Sequence, residues 1–375
     1  MIPFKKTYLT GNELKYMEQA LLSGKISSGG MFTERCQQFF ESKYKFPKVL
    51  LTNSCTDALE MAAILIEIKK GDEVIVPSFT FVSSVNPFIL RGAKIVFTDS
   101  KSNSPCINEN ELEALITPKT KAIVVVHYAG VACNMDTISA IAAKHNLFVI
   151  EDAAHSIDAY YKRQPQGSIG HLAAFSFHET KNITCGEGGM LVINDHRFIK
   201  RAEMIAEKGT NRKAFMNGEI QKYEWVDVGS SFMPGDVTAA FLFAQLESIT
   251  DIQTKRIKAW QMYYDLLAPL AKAGHFELPF IPEYSSNNAH LFYIVCNNAE
   301  QRSNLMSHLL KKDIASAFHY QSLHRSPYYQ AKRDSRELKN ADRYSECLLR
   351  LPLYNQINTK EIKTVTDSII KFFKK

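Results

Sequence analysis

At 375 residues the chain exceeds the size at which one hydrophobic core keeps growing, so two domains are expected. Its 45% hydrophobic and 22% charged residues describe a folded globular protein and exclude a disordered one. The net charge of +6 is thinly spread, without a block of basic residues, which argues against a nucleic-acid partner and suits small anionic ligands.

The opening MIPFKKTYLT lacks the apolar stretch of a secretion signal, and no apolar run approaches the ~18 residues that span a bilayer. A cytoplasmic protein without a membrane partner is expected. Cys36, Cys55, Cys106, Cys133, Cys185, Cys296 and Cys347 are scattered, odd in number and without zinc-site spacing, so they read as buried free thiols rather than a metal centre.

The first strand is KVLLT (48–52), followed by a helix over 55–68 with Asn53 and Ser54 as cap candidates. Further strands are EVIVP (73–77), KIVF (94–97), KAIVVV (121–126) and LFVIED (147–152), with helices near 108–117 and 136–145. Apolar runs of this kind suit strands buried on both faces, and their alternation with helices predicts an α/β fold with a mainly parallel sheet between helices. Such sheets bind ligands at the carboxyl ends of their strands. Beyond about 245 a long helix over 235–266 leads to ELPFIP, LFYIVC (291–296), a helix near 300–311 and ASAFHY (315–320), a smaller α+β domain. The expected boundaries are 1–245 and 246–375.

Three stretches hold candidate chemistry. In TNSCTDALE a strand ends and a helix begins, so Ser54, Cys55 and Thr56 offer free N–H groups and hydroxyls to a phosphate; taken alone this is also a plain helix cap. In IEDAAHS a buried strand ends on Glu151 and Asp152, carboxylates that need a partner such as a protonated ring nitrogen, or that cap the following turn. In FSFHETKNITCGEGG, Ser176 ends a strand-like run, Lys181 follows five positions on, and glycines close the stretch. A lysine at the mouth of a sheet forms an imine with an aldehyde if its site keeps it partly neutral, and glycines allow close backbone approach to a planar cofactor. The bland alternative is a surface lysine in a flexible loop. Together, a phosphate cradle, an acid and an amine are the parts that pyridoxal 5'-phosphate requires. The interval from Asp152 to Lys181 leaves room for a hairpin and a strand. No G-x-G-x-x-G follows the first strand, against a nicotinamide enzyme.

EDAAH, FSFHETKN and GEGG, with PSFTFVSS (77–84) upstream, resemble the DegT/DnrJ/EryC1/StrS sugar aminotransferases from Ile2 to Leu353. The resemblance implies a fold-type I pyridoxal phosphate enzyme, a homodimer, with L-glutamate as amino donor and a nucleotide-linked keto sugar as acceptor. VHYAGVAC, LRGAKIVF and LRLPL are most similar to members that aminate dTDP-4-oxo-6-deoxyglucose at its fourth carbon for enterobacterial common antigen or O-antigen. Amination at the third carbon, the gluco epimer, or a non-catalytic regulatory protein on the same scaffold are the alternatives.

By position, the resemblance makes Lys181 the imine-forming and proton-moving lysine and Asp152 the partner of the pyridine nitrogen. Ser176 and the Ser54–Cys55–Thr56 turn would hold the phosphate and Phe81 would stack on the ring. His319 and Tyr320, in FHYQSLH (318–324), would touch the sugar nucleotide or else form a satisfied polar cluster at a domain seam. The chain departs from many relatives in three ways. His155 stands where Gln is usual, near the cofactor's phenolic oxygen; it can still donate one hydrogen bond, but an ordinary histidine's charge titrates near neutral pH. Ser231 and Met233 replace an Asn and an Arg that reach the partner subunit's site. Lys181 is kept where dehydratase members carry His, which favours transamination.

Overall fold

The computed structural model describes residues 1–332 and 334–374. The strands are β1 (Val49–Thr52), β2 (Glu73–Pro77), β3 (Lys94–Thr98), β4 (Thr120–Val126), β5 (Phe148–Asp152), a hairpin of β6 (Tyr160–Tyr161) and β7 (Gln164–Pro165), β8 (Leu172–Ser176) and β9 (Gly189–Ile193), then β10 (Phe276–Glu277), β11 (Phe292–Cys296) and β12 (Leu348–Leu351). Among them stand α1 (Glu13–Leu22), α2 (Met31–Tyr44), α3 (Cys55–Leu65), α4 (Asn86–Leu90), α5 (Leu112–Leu115), α6 (Met135–Lys144), α7 (Ile199–Ala206) and α8 (Arg212–Met216). α9 (Asp236–Glu247), α10 (Ile249–Lys272), α11 (Ala299–Leu310), α12 (Lys339–Cys347) and α13 (Thr359–Phe373) follow.

The large sheet has seven strands in the order β1-β9-β8-β5-β4-β2-β3. β3, β2, β4, β5 and β8 are parallel neighbours, while β9 runs antiparallel to both β8 and β1. This single reversal has a local cause. β8 and β9 are joined not by a crossover helix but by the loop 177–188, which turns the chain back at the end where it left the sheet. The Lys181 loop therefore lies at the carboxyl ends of the parallel strands.

Side chains along these strands alternate between two cores, as the period of two requires. Val49 and Leu51, Ala173 and Phe175, and Met190 and Val192 face a cluster built with α2 and α9. Leu50, Leu172, Ala174, Leu191 and Ile193 face the opposite cluster, which α3 fills with Ala58, Leu59 and Ala62. A third cluster packs α10, α11 and α13 on the antiparallel sheet β10-β11-β12 through Leu267, Phe292, Ile294, Leu349 and Val365.

Two helices differ from expectation. The stretch 235–266 is broken at Ser248 (φ −100°, ψ 7°) into α9 and α10. Leu242 and Leu246 serve the core beside the sheet, whereas α10 leaves that core after Ile252 and enters the third cluster at Ala259, so one straight helix does not serve both. The helix near 108–117 shrinks to a 3-10 turn over Glu109–Glu111 and the four residues of α5. Ile116 is extended (ψ 130°), and Pro118 disfavours helix at the residue before it.

Candidate active site

The carboxyl ends of β2, β4, β5 and β8, with the start of α3, surround a cavity of about 620 Å³. The size suits a cofactor with a substrate. All ten residues singled out from the sequence line it. Ser54, Cys55 and Thr56 come from the start of α3, Phe81 from the loop after β2, and Asp152 and His155 from the end of β5. Ser176 ends β8, Lys181 lies in the following loop, and His319 and Tyr320 come from the segment before α12.

β5 shows how strand pleating sorts two adjacent carboxylates. Glu151 points away from the cavity and accepts hydrogen bonds from His127 Nε2 at 2.9 Å and from the N–H groups of Gly167, Ile169 and Gly170 at 2.7, 2.8 and 2.5 Å. Burial raises its pKa, but the His127 bond and these N–H groups bring it below the usual carboxylate value. Asp152 points into the cavity. It accepts from Ser84 Oγ at 2.6 Å and from the Ala154 N–H at 3.2 Å. Burial outweighs those bonds and the Lys181 charge, and its carboxyl is pushed up. An added cation beside it would favour the carboxylate again.

Lys181 is half-buried, and desolvation lowers its pKa against the opposing influence of Cys55 and Asp152. Its loop is stitched by backbone bonds: Lys181 N–H to His178 C=O at 2.9 Å, Glu179 N–H to Gly186 C=O at 2.8 Å, and Phe177 N–H to Gly188 C=O at 2.8 Å. Asn182 anchors the next position. Its Nδ2 donates to Gln253 Oε1 at 2.8 Å and to the Asn288 carbonyl at 3.0 Å, and its Oδ1 lies 2.8 Å from His290 Nδ1. With Nδ2 donating, Oδ1 is the acceptor and His290 carries its proton on Nδ1.

His155 corrects the sequence reading. Its Nδ1 accepts from the Ala129 N–H at 3.2 Å, so the neutral ring has its proton on Nε2. The ring stacks on His290 with centroids 4.0 Å apart. Burial, then the charges of His290 and Lys181, depress its pKa well below the usual value, so it stays neutral rather than titrating near pH 7.

The helix start meets both of its readings. Ser54 Oγ caps α3 by accepting from the Asp57 N–H at 3.0 Å, which leaves the N-terminal N–H groups of Cys55 and Thr56 for an anion. Thr56 Oγ1 lies 2.8 Å from Ser83 Oγ, and the His178 N–H approaches Ser176 Oγ at 3.4 Å. The glycines divide between the cavity and the protein's own packing, with Gly188 lining the cavity. A Cβ on Gly189 would lie 2.4 Å from the Ser54 carbonyl carbon and 2.5 Å from the Cys55 nitrogen, so that close approach serves the protein's own helix start rather than a ligand. Gly186, with φ +85°, makes the turn.

Phe81 is 54% exposed at the rim, its ring 6.0 Å from that of Tyr320. His319 and Tyr320 stack at 3.7 Å, and His319 Nδ1 lies 3.1 Å from the Tyr128 hydroxyl. Ser231 and Met233 are not part of the cavity of this single chain. The Ser231 carbonyl accepts from Asn53 Nδ2 at 2.9 Å, and Met233 packs on the core. Sequence reasoning assigned nothing to Ser84, His290, Arg350, Phe4 or Lys5, which also frame this site. Ser84 and Arg350 stand in stretches already quoted, PSFTFVSS and LRLPL, but neither stretch says where the side chain points. Phe4 and Lys5 arrive because the N-terminus pairs with the far domain, with Ile2 N–H on Asp313 C=O at 2.7 Å.

The residues fit pyridoxal 5'-phosphate. The buried Asp152 carboxylate lacks a cationic contact within salt-bridge distance among the described residues, and a pyridinium nitrogen meets that need. Lys181, depressed by burial, supplies the amine for the aldehyde, and the α3 start faces the same cavity for the phosphate.

Comparison with known proteins agrees. The sequence profile of the DegT/DnrJ/EryC1/StrS aminotransferase family matches residues 7–370. Among solved structures, the aminotransferase from Psychrobacter cryohalolentis superposes with a TM-score of 0.93 at 27% identity, covering 99% of each chain. The putative sugar aminotransferase Spr1654 from Streptococcus pneumoniae, in its PLP form, gives 0.89 at 26% identity over 98% of this chain and 97% of that one. S. venezuelae DesV, in complex with a ketimine intermediate, gives 0.90 at 27% identity over 100% and 99%. The chain belongs to the DegT/DnrJ/EryC1/StrS aminotransferase family and is a sugar aminotransferase dependent on pyridoxal 5'-phosphate.

Proposed function

We propose that this enzyme moves the amino group of L-glutamate to the fourth carbon of dTDP-4-oxo-6-deoxy-D-glucose, giving dTDP-4-amino-4,6-dideoxy-D-galactose and 2-oxoglutarate for a surface polysaccharide. The observation that carries the chemistry is the meeting of half-buried Lys181 and buried Asp152 in one cavity. The sugar assignment rests on the resemblance of VHYAGVAC, FSFHETKN, LRGAKIVF and LRLPL, and on Ser231 and Met233 in place of the usual Asn and Arg.

When bound, the cofactor supplies an aldehyde for amines and a pyridine ring that takes up electrons from the adjacent carbon. Asp152 holds the ring nitrogen protonated. Ser84 and the Ala154 N–H fix that carboxylate in place. Lys181 Nζ, kept partly neutral by burial, takes the proton from the donor carbon and returns one to the sugar carbon that receives the amine. Cys55 and Thr56 N–H groups, with Ser176, hold the phosphate. His155 donates Nε2–H toward the phenolic oxygen, and Phe81 covers the ring. His319 and Tyr320 face the sugar nucleotide. Donor and acceptor use the site in turn, so the kinetics are ping-pong.

We assign 1–245 to cofactor binding and 246–375 to a smaller domain that closes the cavity, a division supported by the separate third cluster. A cytoplasmic homodimer fits the exposed Leu14, Leu22, Leu90 and Trp225, each more than 70% accessible in the single chain. The test is product analysis with glutamate and the dTDP keto sugar. An axial amine at the fourth carbon by NMR is the expected result. An equatorial amine there, or amination at the third carbon, overturns the assignment and leaves the chemistry standing.

A further inference from the structure

Arg350 on β12 lines the cavity with Lys181 and Asp152, and neither composition nor motif assigned it a role. Its guanidinium Nε is buried without a hydrogen-bond partner. Nη2 donates to the Phe318 carbonyl at 3.3 Å, and Cζ lies 4.6 Å from the centre of the Phe4 ring. Among the described residues no carboxylate pairs with it. The groups that face it are the phenols of Tyr128 and Tyr320, and Arg350 is close enough to Lys181, His155, His290 and His319 to disfavour their protonation. Arg256 is the contrast. It is 5% exposed, and it donates Nε to the Ala289 carbonyl at 3.1 Å and Nη2 to the His290 carbonyl at 2.6 Å, a structural use of a buried guanidinium. Arg350 has its fork steadied by one carbonyl and one ring and its buried Nε donor unmet. A buried cation without a counter-ion is costly, and an anion delivered to the cavity relieves that cost.

Resting on the aminotransferase reading, we propose that Arg350 binds the α-carboxylate of the amino donor. Geometry selects this anion over a diphosphate. Lys181 exchanges its proton with the donor's α-carbon, and the carboxylate is bonded to that carbon, so it must lie near Lys181, in the cavity that Arg350 also lines. The diphosphate of a nucleotide-linked sugar is held off from a fourth-carbon ketone by the width of the sugar ring. A guanidinium fork also matches a carboxylate in a planar, two-bond arrangement that an ammonium does not reproduce. The Phe4 face keeps the fork in place, so the N-terminal segment takes part in donor recognition through Arg350. When the 2-oxo acid departs and the neutral keto carbon of the sugar enters, the guanidinium loses its anion. This assigns Arg350 to the donor half of the cycle alone.

The test uses wild type, Arg350→Met and Arg350→Lys, each loaded with pyridoxal phosphate and checked first by the absorbance of the bound cofactor. Single-turnover change of that absorbance is followed against L-glutamate and L-alanine, and binding of inorganic diphosphate and of dTDP is measured by calorimetry. In Arg350→Met the half-saturating concentration of both amino acids is expected to rise about tenfold to a hundredfold. Arg350→Lys recovers part of the loss, and diphosphate and dTDP affinities stay within about twofold of wild type. Weaker diphosphate or dTDP binding with donor saturation unchanged would assign Arg350 to phosphate and overturn the inference. So would unchanged values for all four ligands. If Arg350→Met does not load cofactor, the Lys variant decides the matter by the same comparison. A wild type that loads no cofactor, or that no amino acid converts, sinks the aminotransferase reading itself. That failure shows without any variant and is distinct from failure of the Arg350 assignment.

Discussion

Lys181, half-buried, and His155, buried, are both bases whose desolvation opposes charge, and the two serve opposite ends. For Lys181 a depressed pKa makes the neutral amine available below the ordinary lysine range. Lys181→Ala is therefore expected to retain cofactor without covalent attachment and to lower turnover about a thousandfold or more, read by the steady-state rate and by loss of cofactor on denaturing gel filtration after borohydride treatment, which fixes it to wild type. Turnover near the wild-type rate would falsify the lysine's role. For His155 the consequence is in stability. Its folded pKa lies far below that of the unfolded chain, so between the two values the unfolded state binds a proton that the folded state does not. Stability from this group is full above about pH 6.5 and falls as pH drops, by up to about 1.4 kcal/mol per pH unit. Gln does not titrate, so His155→Gln should lose less of its thermal midpoint between pH 7 and pH 5 than wild type does. Equal losses in the two proteins would rule the explanation out. That Lys181, Asp152 and the Ser54–Cys55–Thr56 turn would come together was readable because each stands at the end of an apolar strand and the three complement one another chemically. His155 was misread because sequence shows a histidine's identity and not its burial.

At the scale of elements, the junction of β9 with the start of α3 is a tight backbone-to-backbone contact beside the site. Gly189 leaves no room for a Cβ against the Ser54–Cys55 backbone, and backbone atoms cannot rotate aside as a side chain does. Gly189→Ala is expected to displace the start of α3, lower stability by about 1–3 kcal/mol and weaken cofactor binding more than a remote substitution of equal cost. Urea midpoints and cofactor dissociation constants measure both. Full cofactor affinity in a destabilised variant would show that the helix start is not the phosphate cradle. The strands β1 to β5 and the helix α6 were legible as apolar runs and a periodic stretch, within a residue or two at their ends. β9 was not read as a strand, because GMLVI follows a run of glycines that masks its start. The split of 235–266 was hidden too, since α9 and α10 are continuous in helical preference and only the two cores they serve separate them.

Across the whole molecule, the C-terminal segment packs Tyr293, Leu323, Leu338 and Tyr344 into the hydrophobic cluster on one face of the seven-stranded sheet, and polar bonds add to that contact. Asp99, just past β3, accepts from the N–H groups of Asn340 and Ala341 at 3.1 and 2.7 Å, capping α12 from another part of the chain, while Leu338 offers it no side-chain cap. Tyr329 donates its hydroxyl to the Ile95 carbonyl at 2.6 Å. Asp99→Ala is expected to lower stability by about 1–3 kcal/mol and to speed proteolysis near α12, seen in thermal unfolding and limited digestion. No change in either would mean that solvent replaces the cap at no cost. No helix among the described residues is long and apolar enough to cross a membrane. The sequence by itself determined the alternation that makes an α/β sheet, and the amine, acid and phosphate turn at its strand ends, because strand periodicity and residue chemistry are local properties. Only the tertiary structure decided that Arg350, Phe4, His290 and Ser84 share that cavity, that Glu151 turns away while Asp152 turns in, and that His155 stays neutral. Those outcomes depend on strand order, on pleat direction and on exclusion of water, and each arises from contacts between residues far apart in the chain.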